Sequence, residues 1–159
     1  MSGKALQVSL FGHDQQVMTS DDYYTPPWIF ETMGLDFDLD VSAPPGGVEW
    51  IPAKRFLTMK DDGLNTPWEG RVWMNPPYSK PGPWVDKFLD HGRGVALLPM
   101  SKGKWWNKLW DDTRTLTVAN PYNFTFVRNN NFSPISFPTA LWAIGNEEHD
   151  AIRRLGKAR

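Results

Sequence analysis

Four consecutive residues, Asn75-Pro76-Pro77-Tyr78, close the apolar run Val72-Trp73-Met74 and gather an amide, two prolines and a phenol where a buried strand should end. They offer hydrogen-bond acceptors, a restricted backbone and an aromatic face, and none of them is a strong base or nucleophile. The chain has no cysteine, which excludes disulfides, thiolate metal sites and cysteine nucleophiles. Its three histidines, His13, His91 and His149, are too scattered to form a metal-ligand pattern. Chemistry must therefore come from positioned amides, carbonyls, carboxylates and rings. The competing reading of Asn-Pro-Pro is a plain strand stop, since proline ends a ladder and asparagine suits a turn. A place after one strand and before one helix weighs against that reading.

The elements that would position these residues are short and alternate in type. Thr25 reads as the N-cap of a helix over 26–33, with proline in its first turn and Gly34 after its last. Phe37-Asp-Leu-Asp-Val-Ser-Ala43 alternates apolar and polar residues and runs into a Pro/Gly loop, as a strand does at its end. The segment 48–69 reads as mostly irregular. Residues 71–75 form a strand, 81–92 a helix, and 94–100 an almost continuous apolar run suited to a strand buried on both faces. A helix over 102–112, strands at 115–119, 124–127 and 139–145, and a basic helical tail complete the chain. Trp105 and Trp106 read as core, since neighbours on one helix cannot both face a ligand. Strand and helix alternating in this way imply an α/β fold with a mostly parallel sheet and flanking helices.

In such sheets ligands bind at the carboxyl ends of the strands. Asp40 and the Asn75–Tyr78 group would then face one crevice. The chain's 159 residues, 40% of them hydrophobic, suit a single domain over 22–159 behind a polar, loosely ordered segment at 1–21. No run reaches the roughly 18 apolar residues of a membrane span and no secretory leader is evident, so a soluble, unexported protein is expected. A net charge of −1 gives no global attraction to nucleic acid; such a role needs basic residues gathered on one face.

The ordered series YYTPPWIF, FDLDVSA, DDGLNTPWEGRVWMNPPYS, WVDKF and VALLPM resembles the compact phage-type DNA N6-adenine methyltransferases, Dam-like amino-methyltransferases with the NPPY signature. The resemblance spans roughly residues 22–145 and implies a reduced Rossmann-like sheet that binds S-adenosylmethionine beside the strand ending in NPPY. It implies that Asn75, Pro76, Pro77 and Tyr78 are catalytic: Asn75 and the Pro76 carbonyl accept the N–H bonds of a flipped adenine, Pro77 directs that carbonyl, and Tyr78 stacks on the base. Around the methyl donor it places Thr25, Pro26, Asp40, Ser42, Ala43, Asp62, Gly63 and Asn75. No metal is implied.

The residues themselves leave some of these roles open. Thr25 is equally a helix cap, Asp40 a strand-end carboxylate, and Asp61-Asp62-Gly63 an ordinary turn. The turn after 43 departs from larger methyltransferases, with Gly46 and Gly47 in place of a glycine-rich turn and helix. For double-stranded DNA the candidates are Lys80, Lys102, Lys104 and Arg128, with the loop 127–138 as a possible contact and surface solubility as the ordinary alternative. A phage or prophage protein in the cytoplasm of a bacterial host is implied, in a restriction-modification or related setting. Two other functions fit: methylation of another planar amine, in RNA or a protein glutamine, or a catalytically silent DNA-binding descendant of the fold.

Overall fold

The computed structural model describes residues 5–8, 14–17, 24–101, 103–120, 125–128, 131–134 and 138–159. The amino-terminal stretch, read as irregular, contains two paired strands, β1 (Ala5–Val8) and β2 (Asp14–Val17), in an antiparallel hairpin. Helix α1 (Pro27–Met33) follows, then β3 (Phe37–Asp40), β4 (Ala53–Phe56), a 3-10 turn at Met59–Asp61 and β5 (Val72–Met74). Helix α2 (Gly82–His91), β6 (Gly94–Pro99), α3 (Lys104–Asp111) and β7 (Thr115–Asn120) continue the chain. Strands β8 (Thr125–Arg128) and β9 (Asn131–Pro134), then β10 (Thr139–Ile144) and α4 (Asn146–Arg153), complete it.

Six strands form one sheet in the order β4-β3-β5-β6-β10-β7. The fold is α/β as the alternation implied, but the sheet is mixed. The pairs β4·β3, β3·β5 and β5·β6 are parallel, while β10 runs antiparallel to both β6 and β7. The short connection from β10 to α4 and the buried run of β10 gave no signal of direction, because a strand buried on both faces looks the same either way. Among the described residues, β8, which covers 125–127 of the strand expected at 124–127, does not extend the main sheet but pairs with β9, so the stretch 127–138, read as a loop, holds strand β9.

Two apolar layers fix the sheet. On one face Ile29, Phe30 and Met33 of α1 and Ala151 and Ile152 of α4 pack on Trp73, Val95, Leu97, Leu141 and Ala143. On the other, Val85 and Phe88 of α2 and Leu109 of α3 cover Val72, Met74, Ala96, Leu98 and Trp142. Trp105 and Trp106 are partly buried against this second layer, as expected, and Trp106 meets Trp142 edge-on at 4.9 Å. Strand β6, buried from Gly94 to Leu98, is the spine of both layers.

Three local readings need correction. Pro26, not Thr25, is the N-cap of α1; Gly34 closes the helix in the left-handed region at φ 65°, as its type suggests. The segment 48–69 is not irregular throughout, for β4 lies inside it as an edge strand whose Lys54, Arg55 and Phe56 are exposed. Such a strand shows no apolar alternation, and exposed charge is how sheet edges avoid further pairing. Helix α3 begins at Lys104, and Lys102 lies outside the described residues.

At the sheet end opposite the crevice, Glu148 is 2% exposed and accepts from Arg71 Nε at 2.9 Å and Arg93 Nε at 3.4 Å. These arginines immediately precede β5 and β6, so one carboxylate of α4 ties together the starts of the two central parallel strands. Removing one partner from a buried pair leaves the other charge uncompensated. Glu148→Ala should accordingly lower unfolding free energy by about 3 kcal/mol, seen as a lower urea midpoint with an unchanged slope.

Candidate active site

The chain runs from β3 outward to β4 on one side and then places β5 on the other, so the sheet's order reverses at the β3/β5 boundary. Ligands of open α/β sheets sit beyond the carboxyl ends of the strands at such a reversal. Asp40 ends β3 opposite Trp73, and Asn75 follows β5 directly. The two strands stay joined by Val41 N–H donating to the Trp73 carbonyl at 3.1 Å, and then part. Sequence reasoning placed Asp40 and the NPPY group at one crevice; the topology brings them there.

Ser42 spans the parting strands. Its hydroxyl donates to the Asn75 carbonyl at 2.9 Å, and its backbone N–H donates to Asp40 Oδ1 at 3.3 Å. On the far side of Asn75, its Nδ2 lies 3.5 Å from Thr25 Oγ1, the long limit of a hydrogen bond. Thr25 is itself 1% exposed, with its carbonyl accepting from Trp50 Nε1 at 2.8 Å. Among the described residues, Asn75 Oδ1 and the Pro76 carbonyl accept no hydrogen bond. Two adjacent acceptors thus stand without a donor among the described residues. Pro26 and Pro76 are buried, Pro77 and Tyr78 half-buried. The Tyr78 hydroxyl donates to the Leu97 carbonyl at 3.2 Å, which tethers the ring to β6.

Asp40 is 4% exposed, and the Ser42 N–H is its single hydrogen-bond donor among the described residues, with no cation beside it. Burial without compensation pushes its carboxyl up to about 7, against a smaller lowering by that N–H. A carboxylate kept in this state at a strand end favours an incoming cation.

The Asp61-Asp62-Gly63 segment has a turn's construction. Asp61 closes a capping box with Thr58, and Asp62 caps the 3-10 turn in the left-handed region while its Oδ2 accepts from Asn65 Nδ2 at 2.7 Å. Gly63 brings this turn to the crevice: a Cβ there would collide with the Val41 carbonyl oxygen, so only glycine permits the approach. Lys87, which sequence reasoning missed, holds the segment from α2. Its ammonium donates to the carbonyls of Gly63, Leu64 and Thr66 at 3.1, 2.9 and 2.6 Å and lies 5.0 Å from the Trp68 ring. A lysine in a helix between Asp86 and Phe88 carries no sequence mark of such a role.

Ala43 is buried, its N–H bound to the Leu57 carbonyl at 2.8 Å. The Gly46-Gly47 turn has both residues at positive φ, 81° and 74°, and Gly47 lies against the half-exposed ring of Phe56. Lys80 and Lys104 are exposed in the segments that leave β5 and β6 at the crevice edge. Asn120 of β7 and Thr139 of β10 pair at that same edge, so the connection 121–138 departs from it and returns to it. Arg128 ends β8 within this connection, paired with Asn131.

A family model described as DNA N-6-adenine-methyltransferase (Dam) matches residues 13–136, ending before β10. A DNA N-6-adenine-methyltransferase of Haemophilus phage HP1 (strain HP1c1) is 29% identical over 120 residues, 69% of this chain and 68% of that protein. No solved structure matches.

The state of Asp40 has a measurable consequence. In the unfolded chain it ionises near the ordinary aspartate value of about 4, and in the fold only at about 7. As pH rises through that window the unfolded state loses its proton first, so the native state loses stability between these values. Asp40→Asn removes the effect. The variant should match the parent near pH 4 and exceed it at pH 8 by on the order of a few kcal/mol, read by denaturant titration at both pH values.

Proposed function

The chain belongs to the DNA N-6-adenine-methyltransferase (Dam) family, and from that premise we propose that the β3/β5 crevice binds S-adenosylmethionine beside an adenine whose amine is held by Asn75–Tyr78. The observation that carries this reading is the pair of open acceptors at Asn75 and Pro76, set beside a buried, uncompensated Asp40. The reversal of strand order at β3/β5 also supports reading the sheet as a reduced Rossmann-like methyltransferase sheet.

The exocyclic amine of adenine is a poor nucleophile because its lone pair is delocalised into the ring. Asn75 Oδ1 and the Pro76 carbonyl each accept one of its N–H bonds, out of the ring plane, and so favour a tetrahedral nitrogen with a localised lone pair. Pro77 restricts the residue before it and gives the Pro76 carbonyl a fixed direction. Tyr78 offers a ring face to a base flipped out of the duplex, and the tether of its hydroxyl to Leu97 keeps that face in place. S-adenosylmethionine supplies, when bound, a methyl group on a positively charged sulfur. The methylated amine then sheds a proton to solvent, and no side-chain base is required.

For the donor, the orphan carboxylate of Asp40 fits an ammonium group, which would supply the cation it lacks. Thr25, Pro26, Ser42 and Ala43 form the neighbouring wall, and Asp62 with Gly63 faces the adenosyl portion across Val41. Double-stranded DNA lies along the edge carrying Lys80 and Lys104; Arg128, at the end of β8, and Lys102, outside the described residues, are further candidates for its phosphates. The action is in the cytoplasm of a bacterial host, in keeping with a phage relative.

Mass spectrometry of DNA from a methylation-deficient bacterium expressing the protein tests substrate and reaction together: N6-methyladenine should accumulate, and its absence would sink the proposal. Within the site, Asn75→Asp retains an acceptor and should keep measurable turnover, whereas Asn75→Ala should lose on the order of 10² to 10³ in kcat. At the DNA edge, Lys80→Ala and Lys104→Ala should each weaken binding on all sequences alike. Each should also reduce the slope of log affinity against log salt by about 1, measured by fluorescence anisotropy across a salt series.

A further inference from the structure

Asn75 can serve as an acceptor only if its amide is presented the right way round. A carboxamide has an oxygen at one end and two N–H donors at the other, and turning it over would offer the adenine amine a donor instead of an acceptor. The structure contains a device that bears on this. Ser42, in the loop after β3, donates to the main-chain carbonyl of Asn75 at 2.9 Å across 33 residues of sequence. Thr25, before α1, receives the amide Nδ2 at 3.5 Å across 50 residues. The two hydroxyls grip different parts of one residue from two separate segments.

We infer that Ser42 and Thr25 are positioning residues: Ser42 fixes the backbone of Asn75, and Thr25 holds the amide nitrogen end of its side chain, which leaves the other end, Oδ1, for the substrate. The inference rests on the base-holding role proposed for Asn75. Each anchor is itself held. Trp50 Nε1 fixes the Thr25 carbonyl at 2.8 Å, and Ser42 is placed by its N–H bond to Asp40. A Thr25 buried to 1% exposure, and no longer needed as a helix cap, has no other side-chain hydrogen-bond partner among the described residues. Its hydroxyl is therefore committed to Asn75. Substituting the Ser42 side chain spares the backbone N–H that meets Asp40, so the carboxylate and the base holder can be perturbed separately.

The epistasis between Thr25 and Asn75 is the decisive test, because Thr25 has nothing to hold once the Asn75 amide is removed. Thr25→Val should lower kcat about tenfold in the parent, the effect of losing one hydrogen bond, and leave the residual activity of the Asn75→Ala variant unchanged; Thr25→Ser should restore the parent. Ser42→Ala should likewise lower kcat about tenfold, with recovery in Ser42→Thr. Because both residues also line the donor wall, kcat is read at saturating S-adenosylmethionine, where the losses should persist; binding to a duplex with 2-aminopurine at the target, by fluorescence, should stay within about twofold. Equal loss from Thr25→Val in both backgrounds, or a weakened donor with kcat intact, would overturn the inference and make these residues scaffold or donor contacts. Full activity in Asn75→Ala would instead overturn the base-holding role. If Thr25→Val fails to fold, Thr25→Ala takes its place in the same pair of backgrounds, with the same outcomes.

Discussion

One long-range alignment governs the crevice: β3 and β5 run parallel with Leu39 opposite Val72 and Asp40 opposite Trp73. Side chains alternate across a sheet, so a slip of one residue would send Asp40 to the other face and carry Asn75 away from Ser42. Burial on both faces holds the register. Trp73 is boxed edge-on by Phe30 at 4.7 Å and Phe37 at 5.7 Å, while Val72 and Met74 are sealed under α2. The Arg71–Glu148 pair pins the opposite end of β5. A three-residue strand is thereby fixed at its start, its middle and its exit, and the short loop after it inherits that precision.

Charge is distributed around this frame unevenly, which the near-zero total conceals. The helical face between α2 and α3 carries exposed Asp86, Asp90 and Asp111 and half-buried Asp112 around Lys108. Exposed lysines instead leave β5 and β6 at the crevice edge. Such a distribution would repel a polyphosphate from the first surface and favour the second, so the DNA edge proposed above requires no net positive charge.

How much of this was legible before the fold was known depends on the range of each interaction. The unbroken apolar run of β6, the glycine stops after α1 and α2, and NPPY at a strand end are local signals and read directly. Strand β4 was missed because an exposed edge carries neither alternation nor an apolar run, and β10 had no visible direction because both its faces are buried. The crevice itself follows from strand order, which the alternation of elements only outlines. The contacts of Asn75 with Ser42 and Thr25 were beyond reach, since they join segments 33 and 50 residues apart. Thr25 illustrates the difficulty: next to two prolines and a helix its local meaning is a cap, and only the tertiary fold moves that role to Pro26 and turns the hydroxyl to Asn75.

The path of the chain between β7 and β10 has a further meaning. Its 18 residues begin and end at a single hydrogen-bonded pair of positions, Asn120 and Thr139, so the sheet registers the connection only as two neighbouring points. Closing a longer or shorter loop between fixed ends changes the free energy slowly, by about 0.6 kcal/mol for a doubling in length. The family match ends inside this connection, at residue 136. The sheet thus divides what its geometry fixes, the strand alignment under the crevice, from a connection whose length it constrains little. Such a division would let one catalytic frame acquire new DNA preferences by exchanging a single insert.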